Sequence, residues 1–310
     1  MLRYVARRAL AIVPTLLLVY TVVFFIAHAT PGSPWDMLGE RPVPPQVQEN
    51  LNQKYNLDKS LPEQYLTYLG NALRGDFGPS YRSRSQSVAQ IIREFLPVSL
   101  QLGAAAMILA LLIALPLGGL AALRRGTWLD WTIVSLTTLG ISLPSYVVAS
   151  VGIVVLGVKL GWVPTIGWDG LFTPSSIVPI IGLSLAPLAA LTRYFRASMI
   201  EELHRDYVRT ARAKGLSEQK VVGGHMARNA LIPVITVAGV YFSYVMMGSF
   251  FVETIAGVPG LGRYFVISVA ARDYPVIIGT TLLYAAVVLV VNILVDISYA
   301  ALDPRIHYDA

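Results

Sequence analysis

The sequence predicts an all-α integral membrane protein with six transmembrane helices and a helical insertion outside the membrane between the first and second. Three observations lead there. Of 310 residues, 55% are hydrophobic and only 14% charged, against about 25% charged in a typical soluble domain. Six stretches reach or approach the roughly 20 apolar residues that a helix needs to cross a bilayer. They lie at 9–29, 98–123, 131–158, 176–192, 230–252 and 274–295, and none holds Asp, Glu, Lys or Arg. Finally, Lys and Arg partition strongly to one side of these stretches. With the N-terminus inside, fourteen fall in inside segments, against three outside once the long first loop is set aside. Positive residues concentrate on the cytoplasmic side, and long loops count weakly in that rule. Both termini are therefore expected inside, as an even number of spans requires.

The same composition excludes an ordinary soluble enzyme, a disordered chain and a disulfide-stapled secreted domain. With no cysteine, structural disulfides, thiolate-held zinc, iron–sulfur clusters and a thiol nucleophile are excluded too. The net charge of +6 is read as topology, so no nucleic-acid partner is expected.

The expected organisation is a cytoplasmic end plus first span (1–29), an extracytoplasmic helical segment (30–97) and a five-span core (98–310) with an inside loop at 200–229. Arg3, Arg7 and Arg8, the first apolar run and Ala27-His28-Ala29 also resemble a secretory signal. The run exceeds the ~7–15 residues of a signal core, and Pro31 follows almost at once, so a retained span is expected. In the segment 30–97, Pro45 suits a helix start with Val47, Leu51 and Tyr55 on one face. Pro62 opens a second helix with Leu66, Leu69 and Leu73 aligned, and Gly75, Gly78 and Pro79 end it. Ser87 suits the cap of a third, carrying Ile91, Ile92 and Phe95. Such stripes fit either packing on the protein's own bundle or docking of an external protein. Prolines 14, 116, 144, 179, 187 and 233 lie inside spans, where neighbours repair the lost backbone bonds. They read as kinked packing or as hinges. The fourth span is short and is expected to continue helically towards Met199.

The inside loop reads as helix, glycine turn, helix. Residues 200–214 form an amphipathic helix with Leu203, Tyr207 and Ala211 on one face and Glu201, Glu202, Arg205, Arg209 and Arg212 around it. Gly215 suits the left-handed position beyond a helix end, and Ser217 with Glu218 suits the next helix start. A surface helix of this kind fits another protein's groove, or rests on anionic lipid.

Several chemistries are missing. No Gly-Lys pair exists for a phosphate-binding P-loop. The histidines His28, His204, His225 and His307 are scattered, and neither a serine-hydrolase nor a zinc-protease motif occurs. The spans lack the carboxylates of an ion relay. Asp296, four residues after Asn292, and Glu253 are expected at span ends. Filter-like loops and voltage-sensing arginine rows are absent. No catalytic, cofactor-binding or metal-binding residue is expected.

Asp206-Tyr207-Val208-Arg209-Thr210-Ala211-Arg212-Ala213-Lys214-Gly215-Leu216 resembles the coupling loop of ABC importer permeases, in particular those serving dipeptides and oligopeptides. The general pattern, Glu-Ala-Ala, three residues, Gly, nine residues, Ile-x-Leu-Pro, places its first three positions on Arg209, Thr210 and Ala211 and its glycine on Gly215. Its tail falls on His225-Met226-Ala227-Arg228, a departure that resembles the peptide subfamily's His-x-x-x-Asn run, here His225 and Asn229. Gly223-Gly224 is costly in a helix, about 1 kcal/mol each relative to Ala, so a frayed or broken second helix is expected there. The resemblance extends through Tyr4-Val5-Ala6-Arg7-Arg8, Pro31-Gly32-Ser33-Pro34, Leu73-Arg74-Gly75-Asp76-Phe77-Gly78, Glu253-Thr254, Val258-Pro259-Gly260-Leu261-Gly262, Arg272-Asp273-Tyr274-Pro275 and Leu302-Asp303-Pro304-Arg305.

The resemblance implies a type I ABC importer permease in a bacterial or archaeal plasma membrane. It would form half of a pore with a second, similar permease, above two cytoplasmic ATPases and beneath an extracytoplasmic substrate-binding protein. The chain itself would not be an enzyme. Tyr207, Ala211, Ala213 and Gly215, in the run with Thr210, would contact an ATPase, and Arg209, Arg212 and Lys214 would steer its acidic rim. A peptide path needs water and hydrogen-bonding groups with few fixed charges. Ser142, Ser145, Tyr146, Tyr241, Ser243, Tyr244, Ser249 and Asn292 are candidates for it, although helix–helix packing is the commoner role of such residues. Nickel chelates, glutathione or oligosaccharides are alternative cargoes of the same machinery, and an ion-coupled carrier or channel and a non-transporting membrane protein are more distant alternatives.

Overall fold

In the computed structural model, residues 2–35, 43–83, 86–246 and 250–302 are described. Ser249, His307 and the run Asp303-Pro304-Arg305 lie outside them. Among the described residues the regular structure is helical, with a lone β-bridge between Pro79 and Ser87. The helices are α1 (Leu2–Ala29), α2 (Pro45–Lys54), α3 (Leu61–Ala72), α4 (Val88–Leu123), α5 (Trp128–Ser142), α6 (Ser145–Gly152), α7 (Pro174–Leu203), α8 (Asp206–Ala213), α9 (Ala227–Met246), α10 (Phe250–Ala256), α11 (Leu261–Ala270) and α12 (Tyr274–Leu302). Two π-helical stretches, Ile153–Lys159 and Lys220–Met226, extend α6 and lead into α9.

Five helical stretches are long and apolar enough to cross a membrane: Arg7–Ala29, Val88–Leu123, Pro174–Leu203, Lys220–Met246 and Tyr274–Ser298. The expected third span falls on a bent pair, Trp128–Ser142 and Ser145–Lys159, with 98° between its two parts. Pro144 is the physical reason. Proline drives the preceding residue out of the helical region, and Leu143 sits extended at φ −87, ψ 122.

Other expectations are corrected in detail. The third helix of the outer segment is the first part of α4, which runs unbroken for 36 residues. A capping box starts it: the Gln90 backbone N–H donates to Ser87 Oγ at 3.2 Å, and the Ser87 N–H donates to Gln90 Oε1 at 2.8 Å. The Gly223-Gly224 pair does not break its helix. It is carried through as a wider π turn, open on both glycines, since a Cβ at either would meet nothing within 4 Å. Asp296 lies inside α12, which continues past it. Glu253 lies within α10 and is fully buried.

The described chain divides into two compact units. One comprises 100–258 together with the chain from 290 onward. Its core gathers Met107, Leu191, Phe195, Met199, Val208, Val221, Met226 and Val234, with α7 central. Backbones approach closely where residues are small. A Cβ on Gly118 would stand 2.7 Å from the Thr192 carbonyl oxygen, and one on Gly103 2.6 Å from that of Val245. This is how membrane helices gain packing without a hydrophobic driving force between them.

The second unit comprises 2–99 and 259–289. Aromatic packing holds the outer segment onto α1 and the start of α12. Trp35, Tyr55, Tyr81 and Tyr274 form one cluster, and Tyr20, Phe24, Tyr65 and Tyr68 another. Trp35 Nε1 donates to Asn52 Oδ1 at 2.7 Å, so its polar edge is satisfied in the core. The buried face of α3 is Gln64, Tyr65, Tyr68 and Leu69. Leu66 and Leu73, aligned with Leu69 in the expected stripe, are exposed.

The Arg272–Asp273 dipeptide ties both ends of the outer segment to the head of α12. Arg272, at φ +54, donates from its guanidinium to the Ser33 carbonyl at 3.3 Å. Asp273 is buried and accepts from Ser80 Oγ at 2.5 Å, Tyr81 N at 3.1 Å and Arg82 N at 3.2 Å. Burial is the largest influence on its carboxyl and raises its pKa, opposed by these donors.

Candidate coupling site

The loop at 200–229 is expected to engage a partner. Helix α7 ends at Leu203, and Arg205 turns extended at ψ 144 before α8 begins. The expected single helix over 200–214 is thus two helices with a break at His204–Arg205. Their separation lets α8 lie back on the core. Val208 is fully buried, Ala211 is 9% exposed and Tyr207 packs beside them. Tyr207 and Ala211, expected on the contact face, therefore belong to the face that holds α8 to its own protein. The outward face presents Arg209, Thr210, Ala213, Lys214 and Gly215. Asp206 in the first turn and Arg212 in the last suit the helix dipole.

A Schellman-type turn closes α8. Gly215 sits at φ +77, its N–H donates to Arg212 O at 2.9 Å, and the Leu216 N–H donates to Ala211 O at 3.3 Å. Across this turn Arg212 grips Glu218 with two bonds, Nε to Oε1 at 2.7 Å and Nη2 to Oε2 at 3.2 Å. Glu218, expected as a helix-start charge, ties α8 to the following helix. The Tyr207 hydroxyl donates to Glu202 Oε2. Burial and the Glu202 carboxylate push its pKa up to about 12, so it is a neutral donor throughout the physiological range.

The pore candidates do not converge on one cavity. Tyr241 lines a cavity of about 510 Å³ together with Arg193, Tyr194 and Arg196, and the other candidates are not among its lining residues. Ser142 and Ser243 spend their hydroxyls on their own helices, donating to Thr138 O at 3.0 Å and Gly239 O at 3.1 Å. Ser145 opens α6, Tyr146 stands 5.3 Å from the Phe251 ring, and Tyr244 and Asn292 are exposed.

Sequence reasoning missed the ion pair beside that cavity. Asp130 on α5 is almost fully buried and receives Arg196 of α7 through two bonds, Nε to Oδ1 at 2.6 Å and Nη2 to Oδ2 at 2.7 Å. The signal was present: a lone carboxylate just before an apolar run, and an arginine where the fourth helix outlasts its apolar stretch.

Two family patterns cover nearly the whole chain. The pattern for "Binding-protein-dependent transport system inner membrane component" matches residues 114–308, and that for its N-terminal region matches residues 1–103. The chain belongs to the binding-protein-dependent transport system inner membrane components. It is 40% identical over 308 residues to the oligopeptide transport system permease protein OppB of Escherichia coli (strain K12), covering 99% of this chain and 100% of that protein. To the dipeptide transport system permease protein DppB of Bacillus subtilis (strain 168) it is 42% identical over 306 residues, covering 99% and 98%. To the DppB of Lactococcus lactis subsp. cremoris (strain MG1363) it is 40% identical over 306 residues, covering 99% of each. As an inner membrane component it is a multi-pass protein, in keeping with its apolar helices.

Proposed function

We propose that this chain is a permease subunit of an ATP-driven importer of dipeptides or oligopeptides. It forms half of a translocation pore with a second, similar permease, above two cytoplasmic ATPases, and a substrate-binding protein delivers the peptide outside. The observation that carries the reading is end-to-end similarity to permeases named for oligopeptide and dipeptide transport. The exposed, basic outer face of α8 supports the coupling role. The Lys and Arg distribution supports cytoplasmic placement of both termini and of the 200–229 loop.

In this reading the chain hydrolyses nothing. ATP binding closes the ATPases, α8 follows as a rigid body, and the motion passes to the spans because packed interfaces shift between discrete arrangements. Arg209, Thr210, Ala213, Lys214 and Gly215 meet the ATPase, while Val208 and Ala211 anchor the lever. The test is reconstitution of the chain with its co-purifying permease, ATPases and binding protein, followed by uptake of labelled di- to pentapeptides. ATP-dependent peptide uptake supports the reading. Uptake that persists without any ATPase, or a binding protein that carries a nickel chelate or glutathione and no peptide, overturns it.

A further inference from the structure

Tyr207 is the one aromatic residue of α8, and its hydroxyl reaches back to α7. The side chain leaves α8, and its hydroxyl donates to Glu202 Oε2 in the last turn of α7. Its ring packs against the cluster anchored by Met199, Val208 and Met226. Glu202 keeps only 15% of its side-chain exposure, while its neighbour Glu201 keeps 69% and pairs outward with Arg205 at 2.6 Å. Arg205 Nε also lies 3.9 Å from Glu202 Oε1, a longer contact. Glu201 makes an exposed pair of little mechanical value, whereas Glu202 is turned inward to a charge-assisted bond, the stronger kind.

Two further links hold α8: Val208 and Ala211 pack into the core, and Arg212 pairs with Glu218 across the turn that follows it. The α7–α8 connection is the extended turn at Arg205, and the α8–α9 connection passes the Gly215 turn and the π segment. The Tyr207–Glu202 bond spans the Arg205 turn and so ties α8 to the end of α7 more tightly than the turn alone. We infer that Tyr207 is a positioning residue of the transport cycle: its hydroxyl, held by Glu202, locks α8 to the end of α7 so that displacement of α8 is delivered to that span. The inference rests on the coupling role proposed above. The residue acts through its neighbours and touches neither peptide nor nucleotide.

The test is the number of ATP molecules consumed per peptide imported, measured on the complete reconstituted complex. Tyr207→Phe keeps the ring in the cluster and removes only the hydroxyl. Glu202→Ala removes the acceptor from the other side. Glu202→Gln keeps an oxygen that accepts the same bond. The first two variants are expected to raise the ATP cost per peptide several-fold, while Glu202→Gln stays near the unmodified ratio. A merely structural role would lower complex yield and leave the ratio unchanged. An unchanged ratio in Tyr207→Phe and Glu202→Ala overturns the clamp while the permease reading stands. An unmodified chain that gathers no ATPase overturns both.

Discussion

Asp130 and Arg196, 66 residues apart in the chain, share a two-pronged ion pair with bonds of 2.6 and 2.7 Å that fastens α5 to α7. The Asp130 side chain is 5% exposed and that of Arg196 25%. The Gly126 N–H donates a further bond to Asp130 at 3.0 Å. Removing one partner of a buried pair strands the other charge, at a cost of about 3–5 kcal/mol, whereas replacing both with apolar groups is often neutral. Arg196→Ala is therefore expected to destabilise the detergent-solubilised protein by that order, with Asp130→Leu/Arg196→Met recovering most of the loss. Thermal unfolding of the three proteins checks it, and additive losses in the double variant would contradict it.

Gly118 lets α4 pass within van der Waals reach of the α7 backbone at Thr192. Gly118→Val forces the helices apart, and overpacking of this kind costs roughly 1–3 kcal/mol or more. The yield of folded protein after solubilisation is expected to fall sharply. Gly224→Ala, where a Cβ meets nothing, is expected to leave it unchanged.

The Asp273 carboxyl gives a pH dependence with a definite sign. Burial raises its folded pKa despite donors from Ser80, Tyr81 and Arg82, so the folded protein holds this proton more tightly than the unfolded chain. Its contribution to stability is fully present below the ordinary carboxylate range near 4 and is lost as pH rises through the raised folded value. The stability of the unmodified protein relative to Asp273→Asn should therefore decline from acidic to neutral pH. Asp273→Ala, which strands buried donors, is expected to cost roughly 1–3 kcal/mol at any pH. Melting temperatures across a pH series decide the sign.

Gly215 and Ala211 separate backbone from packing effects in the 200–229 loop. At φ +77 a β-branched residue is strained by roughly 1–2 kcal/mol, and no neighbour crowds the position. Gly215→Val is expected to insert and fold yet to transport poorly. Ala211→Arg is expected to lose folded protein, because Ala211 faces its own core. Fluorescence size-exclusion profiles alongside peptide uptake distinguish the two outcomes.

Much of this architecture was legible in the residues because it follows from local rules. Long apolar runs, Pro45 at a helix start, and Gly215 past a helix end each declare themselves within a few positions. What stayed hidden depended on distant partners. Nothing near Tyr207 or Ala211 says which side of α8 is covered, since that is decided by Met199, Val221 and Met226. Leu66 and Leu73 lost the buried face of α3 to Tyr65 and Tyr68, which find aromatic partners in α1. The Asp130–Arg196 pair could be suspected from one charge at each end of two apolar runs, but its pairing needed the packing of α5 on α7. Pro144 was visible, yet a proline inside a span is compatible with a gentle kink as well as with the 98° bend observed.

The most direct test of the coupling account uses the absence of cysteine from the chain. Ala213→Cys places a single thiol on the outward face of α8, and Leu18→Cys places one on an exposed apolar position of α1. In inner-membrane vesicles containing the assembled transporter, a short bis-maleimide is expected to join the residue-213 thiol to an ATPase subunit, with the yield changing when ATP is added. No such product is expected from residue 18. An actively transporting complex that gives no ATPase adduct at residue 213 would contradict the account.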